Sequence, residues 1–167
     1  MSRILVCPAD RVRSVAAEHG PSHVVALTAP GTTPPAIRGA KMLHLTLNDI
    51  TEPRPGLVQP APADIRALLD FGAGWDGARP LLVHCRMGVS RSTAAALILA
   101  AAHRPQEAET DLAAALRKAA PVATPNALMV AFGDDLLGRA GRLVEAARSI
   151  GRGADYAPYR LAILDLD

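Results

Sequence analysis

Residues 84–92, His-Cys-Arg-Met-Gly-Val-Ser-Arg-Ser, constrain this chain more than any other stretch. They follow a strand-like apolar run, Leu81-Leu82-Val83, and precede an apolar, helix-forming stretch from Ser92 to Ala102. The order is strand, tight loop, helix. Such a loop can turn its backbone N–H groups inward as an anion-binding nest, and the helix behind it adds the positive end of its dipole. A thiol at the head of such a loop, here Cys85, is expected to act as a nucleophile near neutral pH. The guanidinium of Arg91 can grip two oxygens of a tetrahedral oxyanion. The phosphate-binding positions are then Arg86, Met87, Gly88, Val89, Ser90 and Arg91. Of these Arg86, Met87, Val89 and Ser90 need supply only backbone N–H groups. Gly88 permits a backbone conformation or close approach that a side chain would block.

The rest of the chain supplies a scaffold for this loop. Strands are predicted at Arg3–Cys7, His23–Leu27, Met42–Leu47 and Leu81–His84. A helix is predicted from Asp10, as N-cap, to His19, and another over Asp64–Gly72 with Ile65, Leu68 and Leu69 on one face. After the loop come helices over Ser92–His103, from about Gln106 to Ala119, after Pro125 with Asn126 as N-cap, and over Gly141–Ile150. Tyr159 to Leu166 is apolar with weak alternation and is read as a strand or a docked tail. Strands alternating with helices, then helices alone, predict an α/β fold. Its centre is a mostly parallel sheet of about four strands flanked by helices, with a helical C-terminal half. The 167 residues are read as one domain, 1–167.

Charge and composition exclude several function classes. A net charge of +2 is too small for a nucleic-acid or membrane-surface protein, and 3% aromatic residues provide no base-stacking surface. The apolar run before Pro8 is too short for a signal-peptide core, and Thr93–Ala102 is too short to span a bilayer. Two cysteines, Cys7 and Cys85, make no disulfide framework, and a reactive thiolate suits a reducing compartment. A cytoplasmic protein is expected. Cys7 is read as a buried strand cysteine, with a redox partnership to Cys85 as the alternative. Arg139, Arg142, Arg148 and Arg152 are read as a solvated surface, and Asp134 and Asp135 as helix-surface carboxylates.

A phosphomonoester leaving group needs a proton, so a carboxylic acid should face the loop. Ligand sites in parallel sheets lie beyond the carboxyl ends of the strands. Asp49 follows the third strand and shares that edge with Cys85. Asp76 precedes the fourth strand and belongs to the opposite edge. Asp64, at the start of its helix, is left as an alternative.

The loop resembles the signature of the cysteine-dependent protein tyrosine phosphatases, above all their small dual-specificity branch. The match is complete at His84, Cys85, Gly88, Arg91 and Ser92, and a weaker likeness runs from about Met42 to Leu137. The resemblance implies a phosphomonoesterase without metal or cofactor, working through a cysteinyl-phosphate on a phosphorylated protein or small phosphomonoester. It gives Asp49 the acid role. It makes His84 a support for the loop, Ser92 a donor to the sulfur, and Asn126 of the Pro125-Asn126 pair a brace. Phosphoinositide-directed relatives carry lysines at the variable loop positions, where this chain has only Arg86. Two rival readings use the same loop: an oxyanion enzyme of the rhodanese or arsenate-reductase type, and a non-catalytic phosphoprotein-binding module.

Overall fold

Four apolar runs form parallel strands, each too short and too enriched in Val, Leu and Ile to stand as an independent helix. The computed structural model describes residues 1–167. The strands are β1 (Arg3–Pro8), β2 (His23–Thr28), β3 (Lys41–Thr46) and β4 (Leu81–Cys85). A fifth strand, β5 (Ala162–Asp165), pairs antiparallel with β1, and the sheet order is β3-β2-β4-β1-β5. The expected count of about four therefore becomes five. The C-terminal tail is a strand because β1 would otherwise present an open edge, and four residues suffice to close it.

Alternation along the central strands splits the core between the two faces. Ile4, Val6, Val25, Leu27, Leu81 and Val83 face one layer, and Leu5, Cys7, Val24 and Leu82 face the other. Helix α1 (Val12–His19) covers the second face with Val12, Val15 and Ala16. The first face carries α2 (Pro62–Ala73), α3 (Arg91–His103), α4 (Glu109–Ala119), α5 (Ala127–Leu136) and α6 (Arg142–Ser149). Every residue of α3 from Arg91 to Ala101 is buried. Its alanine-rich surface lets neighbouring helices approach closely, and Gly133 of α5 continues this: a Cβ there would stand 2.6 Å from Ile98 Cγ1. The helix behind the loop is thus the axis of the helical layer. No helix is long and apolar enough to cross a membrane.

Two helix starts differ from expectation. Residues Ala9–Arg11 form a 3₁₀ turn, and Asp10 makes no cap bond. The Ala9 amide is instead tied to the Arg86 carbonyl at 3.0 Å, which turns the chain over the loop before α1 begins. Helix α4 starts at Glu109 rather than near Gln106, because Arg104 to Glu107 is a turn closed by the Glu107 amide on the Arg104 carbonyl.

Candidate active site

Residues 86–90 lie between the carboxyl end of β4 and the first turn of α3, and the carbonyls of Arg86, Gly88, Val89 and Ser90 are held by neighbouring groups. Arg86 O accepts from the Ala9 amide at 3.0 Å, and Val89 O from the Thr124 amide at 2.9 Å. Ser90 O accepts from the amides of Ala94 and Asn126 at 3.0 and 3.2 Å. The Thr93 hydroxyl adds a 2.6 Å bond to Val89 O. Gly88 O accepts from the Tyr159 hydroxyl at 2.5 Å. With those carbonyls fixed, the amides of Arg86, Met87, Val89 and Ser90 are left without a protein acceptor. Backbone N–H groups in that condition call for an anion or solvent.

Cys85 sits at the floor of this loop, only 4% exposed. Its Sγ receives the Gly88 N–H at 3.3 Å and lies 3.1 Å from Ser92 Oγ. Gly88 has φ +72°, and a Cβ on it would meet the Tyr159 hydroxyl and stand 3.0 Å from Pro8 N. Both the backbone conformation and the space therefore require glycine. Arg91 is buried to 7% exposure, and its Nη1 donates to Leu47 O at 2.8 Å, while its Nε is buried without a partner. The guanidinium is thereby anchored on the β3 side with donor capacity to spare.

Asp49 is where the strand-edge argument placed it. Its Oδ1 accepts from Ser90 Oγ at 2.7 Å and from Asn126 Nδ2 at 2.9 Å. The carboxyl is exposed and tied to the loop. Asn126 carries both functions considered for it. Its Oδ1 caps α5 by accepting the Met129 amide at 3.0 Å, and its Nδ2 braces Asp49 and the Ile50 carbonyl. Asp64 is occupied otherwise: its Oδ2 accepts the Ala61 amide at 2.8 Å at the N-terminus of α2.

His84 is fully buried on the opposite face of the sheet from Cys85. Its Nδ1 lies 3.4 Å from Cys85 O, and burial holds the imidazole below its ordinary value, the bond to that carbonyl opposing. The neutral ring therefore supports the peptide that follows Cys85. Cys7 pairs in register with His84 and is also fully buried, and burial, reinforced by nearby Cys85, pushes its thiol up to about 12. A thiol held that firmly protonated is a poor redox partner.

A cavity of about 230 Å³ opens beside Cys85, Arg86 and Arg91, walled by Ala9, Leu27, Thr28, Ala29 and Thr32. Asp49 does not line it; the carboxyl stands at the Ser90 end of the loop instead. Asp10 directly follows the wall residue Ala9 and is a second carboxylate on the same strand edge rather than a helix cap. Tyr159 was overlooked, for no periodicity marks a side chain whose partner is a backbone carbonyl 71 positions away.

Two outlying readings are corrected. Arg139 is not solvated: it is 8% exposed, and its Nη1 and Nη2 donate to Glu109 Oε1 at 3.0 Å and Ala101 O at 2.7 Å. Nor is Asp134 a surface carboxylate. Buried at 3% exposure, it accepts the Gly141, Leu143 and Val144 amides and so caps α6 from a distance. Both residues were misplaced because they join α5 to α4 and α6 across a turn, where helical spacing no longer applies.

No protein-family model matches the sequence, and no curated protein matches it either. Solved structures do. Human DUSP28 is 20% identical, with 81% of this chain and 94% of that one covered at a TM-score of 0.61. The human tyrosine phosphatase-like serine/threonine/tyrosine-interacting protein is 18% identical over 82% and 92%, with a TM-score of 0.64. PTPMT1 in complex with PI(5)P is 16% identical over 82% and 94%, with a TM-score of 0.59. With its mostly parallel sheet and its loop between β4 and α3, the chain has the fold of the small dual-specificity cysteine phosphatases.

Proposed function

We propose that residues 1–167 act as a single phosphatase domain, a metal-independent phosphomonoester hydrolase of the protein tyrosine or dual-specificity kind. The observation that carries this reading is the setting of Cys85. Its sulfur lies within reach of the Gly88 N–H and Ser92 hydroxyl, at the floor of a loop whose other amides lack protein acceptors.

In the first step the Cys85 thiolate attacks phosphorus in line, forming the S–P bond as the ester P–O bond breaks. The loop amides and Arg91 hold the equatorial oxygens, where positioned donors are worth most. Asp49 gives its proton to the departing oxygen. Both bonds to Asp49 fall on Oδ1, which leaves Oδ2 to carry that proton. In the second step Asp49 takes a proton from water, whose oxygen attacks phosphorus. The S–P bond breaks, and Ser92 donates to the leaving thiolate. His84 supports the loop from behind.

The substrate class is a phosphorylated protein or a small phosphomonoester. A single cation, Arg86, at the variable loop positions favours these over inositol lipid. A thiolate nucleophile suits a reducing compartment, so the cytoplasm is the expected setting. The test is phosphate release across a panel of phosphotyrosine, phosphoserine and phosphothreonine peptides, a phosphoinositide and small phosphomonoesters. Turnover on at least one substrate, lost in Cys85→Ser while vanadate binding persists, is the expected result. Turnover retained in Cys85→Ser would refute it.

A further inference from the structure

The C-terminal segment does more than close the sheet. It is fastened at both ends. The Gly153 amide donates to Thr124 Oγ1 at 3.0 Å, and the Ala154 amide to Pro121 O at 2.9 Å. From Ala162 onward the chain is locked to β1 as β5. Between these anchors Arg160 pairs with Glu18 of α1, and Tyr159 turns in over the loop. The same 121–124 segment that holds the start of this strap also holds Val89 O through the Thr124 amide.

The Tyr159 hydroxyl donates to Gly88 O at 2.5 Å, and it occupies the space where a Cβ on Gly88 would stand. The Gly88 carbonyl shares a peptide unit with the Val89 N–H. Donation to one end of a peptide polarises the unit and strengthens the donor at the other, more so in a poorly solvated setting. The Val89 N–H is one of the loop amides with no protein acceptor. The carbonyls of Arg86, Val89 and Ser90 are held by backbone amides, and Val89 O by the Thr93 hydroxyl as well. Gly88 O alone depends on a side chain from the C-terminal strap.

We infer that Tyr159 is a positioning residue for the phosphate loop, acting through the Gly88–Val89 peptide. The strap that carries it is thus part of the active centre. This inference rests on the phosphatase reading given above. Burial, and secondarily the nearby Cys85, push the Tyr159 hydroxyl above its ordinary value, so it stays a donor throughout the working range of pH.

The experiment is Tyr159→Phe, which keeps the ring and removes only the hydroxyl. The readouts are orthovanadate affinity by titration, and kcat and KM on a phenyl phosphate. Loss of one such hydrogen bond is expected to weaken vanadate binding about 3- to 10-fold and to lower kcat by a similar factor, with KM little changed. The effect falls on kcat because vanadate and the transition state, more than the ground state, draw on the loop amides. Unchanged vanadate affinity and kcat in Tyr159→Phe, even with reduced thermal stability, would make Tyr159 a packing residue and overturn the inference alone. If the wild-type chain binds no vanadate and releases no phosphate, the phosphatase reading falls and this inference with it.

Discussion

Ser90 Oγ donates to Asp49 Oδ1 at 2.7 Å, across 41 positions of sequence. The loop proposed to hold the phosphate and the carboxyl proposed to protonate the leaving group are therefore tied as one unit. A shift of either would move the other.

Asp49→Asn should slow hydrolysis of alkyl and phenyl phosphates by about 10²–10⁴-fold, the usual worth of a positioned proton donor. The loss should shrink as the leaving group becomes more acidic, since a stabilised anion needs less protonation. A steady-state series of aryl phosphates measures this. A loss independent of the leaving group would make Asp49 structural. Asp10, on the same strand edge, would then be the carboxylate to replace, because Asp64 and Asp134 are committed to helix capping.

Asn126→Asp separates the capping role of Asn126 from its bracing role. An aspartate still caps α5, but at this buried position it loses the donor to the Ile50 carbonyl, so thermal stability should fall somewhat and turnover is to be read well below the unfolding temperature. It no longer donates to Asp49 and sets a like charge against it, in place of the present 2.9 Å bond. The turnover rate should fall about 10-fold or more, as expected for losing a hydrogen bond to a charged group. An active Asn126→Asp enzyme would show that the bracing of Asp49 is dispensable.

The site was legible in sequence to the extent that its parts are local. Cys85, Gly88, Arg91 and Ser92 fall within one strand–loop–helix unit, so their spacing alone brings them together. The position of Asp49 beside the loop was legible because parallel strands end at a common edge. Tyr159, Arg139 and Asp134 were not found, because each meets its partner through a turn or a coil segment that no periodicity governs. Strand β5 was left open for a related reason. Four residues at a sheet edge alternate too briefly to be told from a docked tail, and only the unpaired side of β1 decides the matter.

The two cysteines should differ sharply in reactivity. Iodoacetate at about pH 6 should modify Cys85 first, and vanadate or phosphate should protect it, since the sulfur lies on the floor of the loop against the Gly88 N–H and the start of α3. Cys7, fully buried and pushed up to about 12, should label only on unfolding. Peptide mapping after partial alkylation checks this. Equal labelling of both, indifferent to phosphate, would contradict the loop geometry.

Buried His84 gives a pH dependence of known sign. Burial depresses its folded-state value below the ordinary 6.5, so the neutral ring is the one that fits. Its contribution to stability is full above about pH 6.5 and is lost as pH falls through the depressed value. Denaturant unfolding between about pH 7.5 and pH 5 should show a steeper loss of stability in wild type than in His84→Asn. The remaining slope includes His23, which burial also lowers. Identical slopes would mean that His84 is not buried neutral.

The proposed chemistry stands or falls on a covalent phosphate at Cys85. Acid-quenched reaction mixtures with a substrate that turns over, digested and mapped by mass spectrometry, should carry phosphate on the peptide containing Cys85. Accumulation should increase in Asp49→Asn for substrates with acidic leaving groups, where the second step has lost its base, and vanish in Cys85→Ser. Phosphate release by wild-type enzyme with no phosphocysteine detectable in either protein, or turnover that persists in Cys85→Ser, would contradict the mechanism.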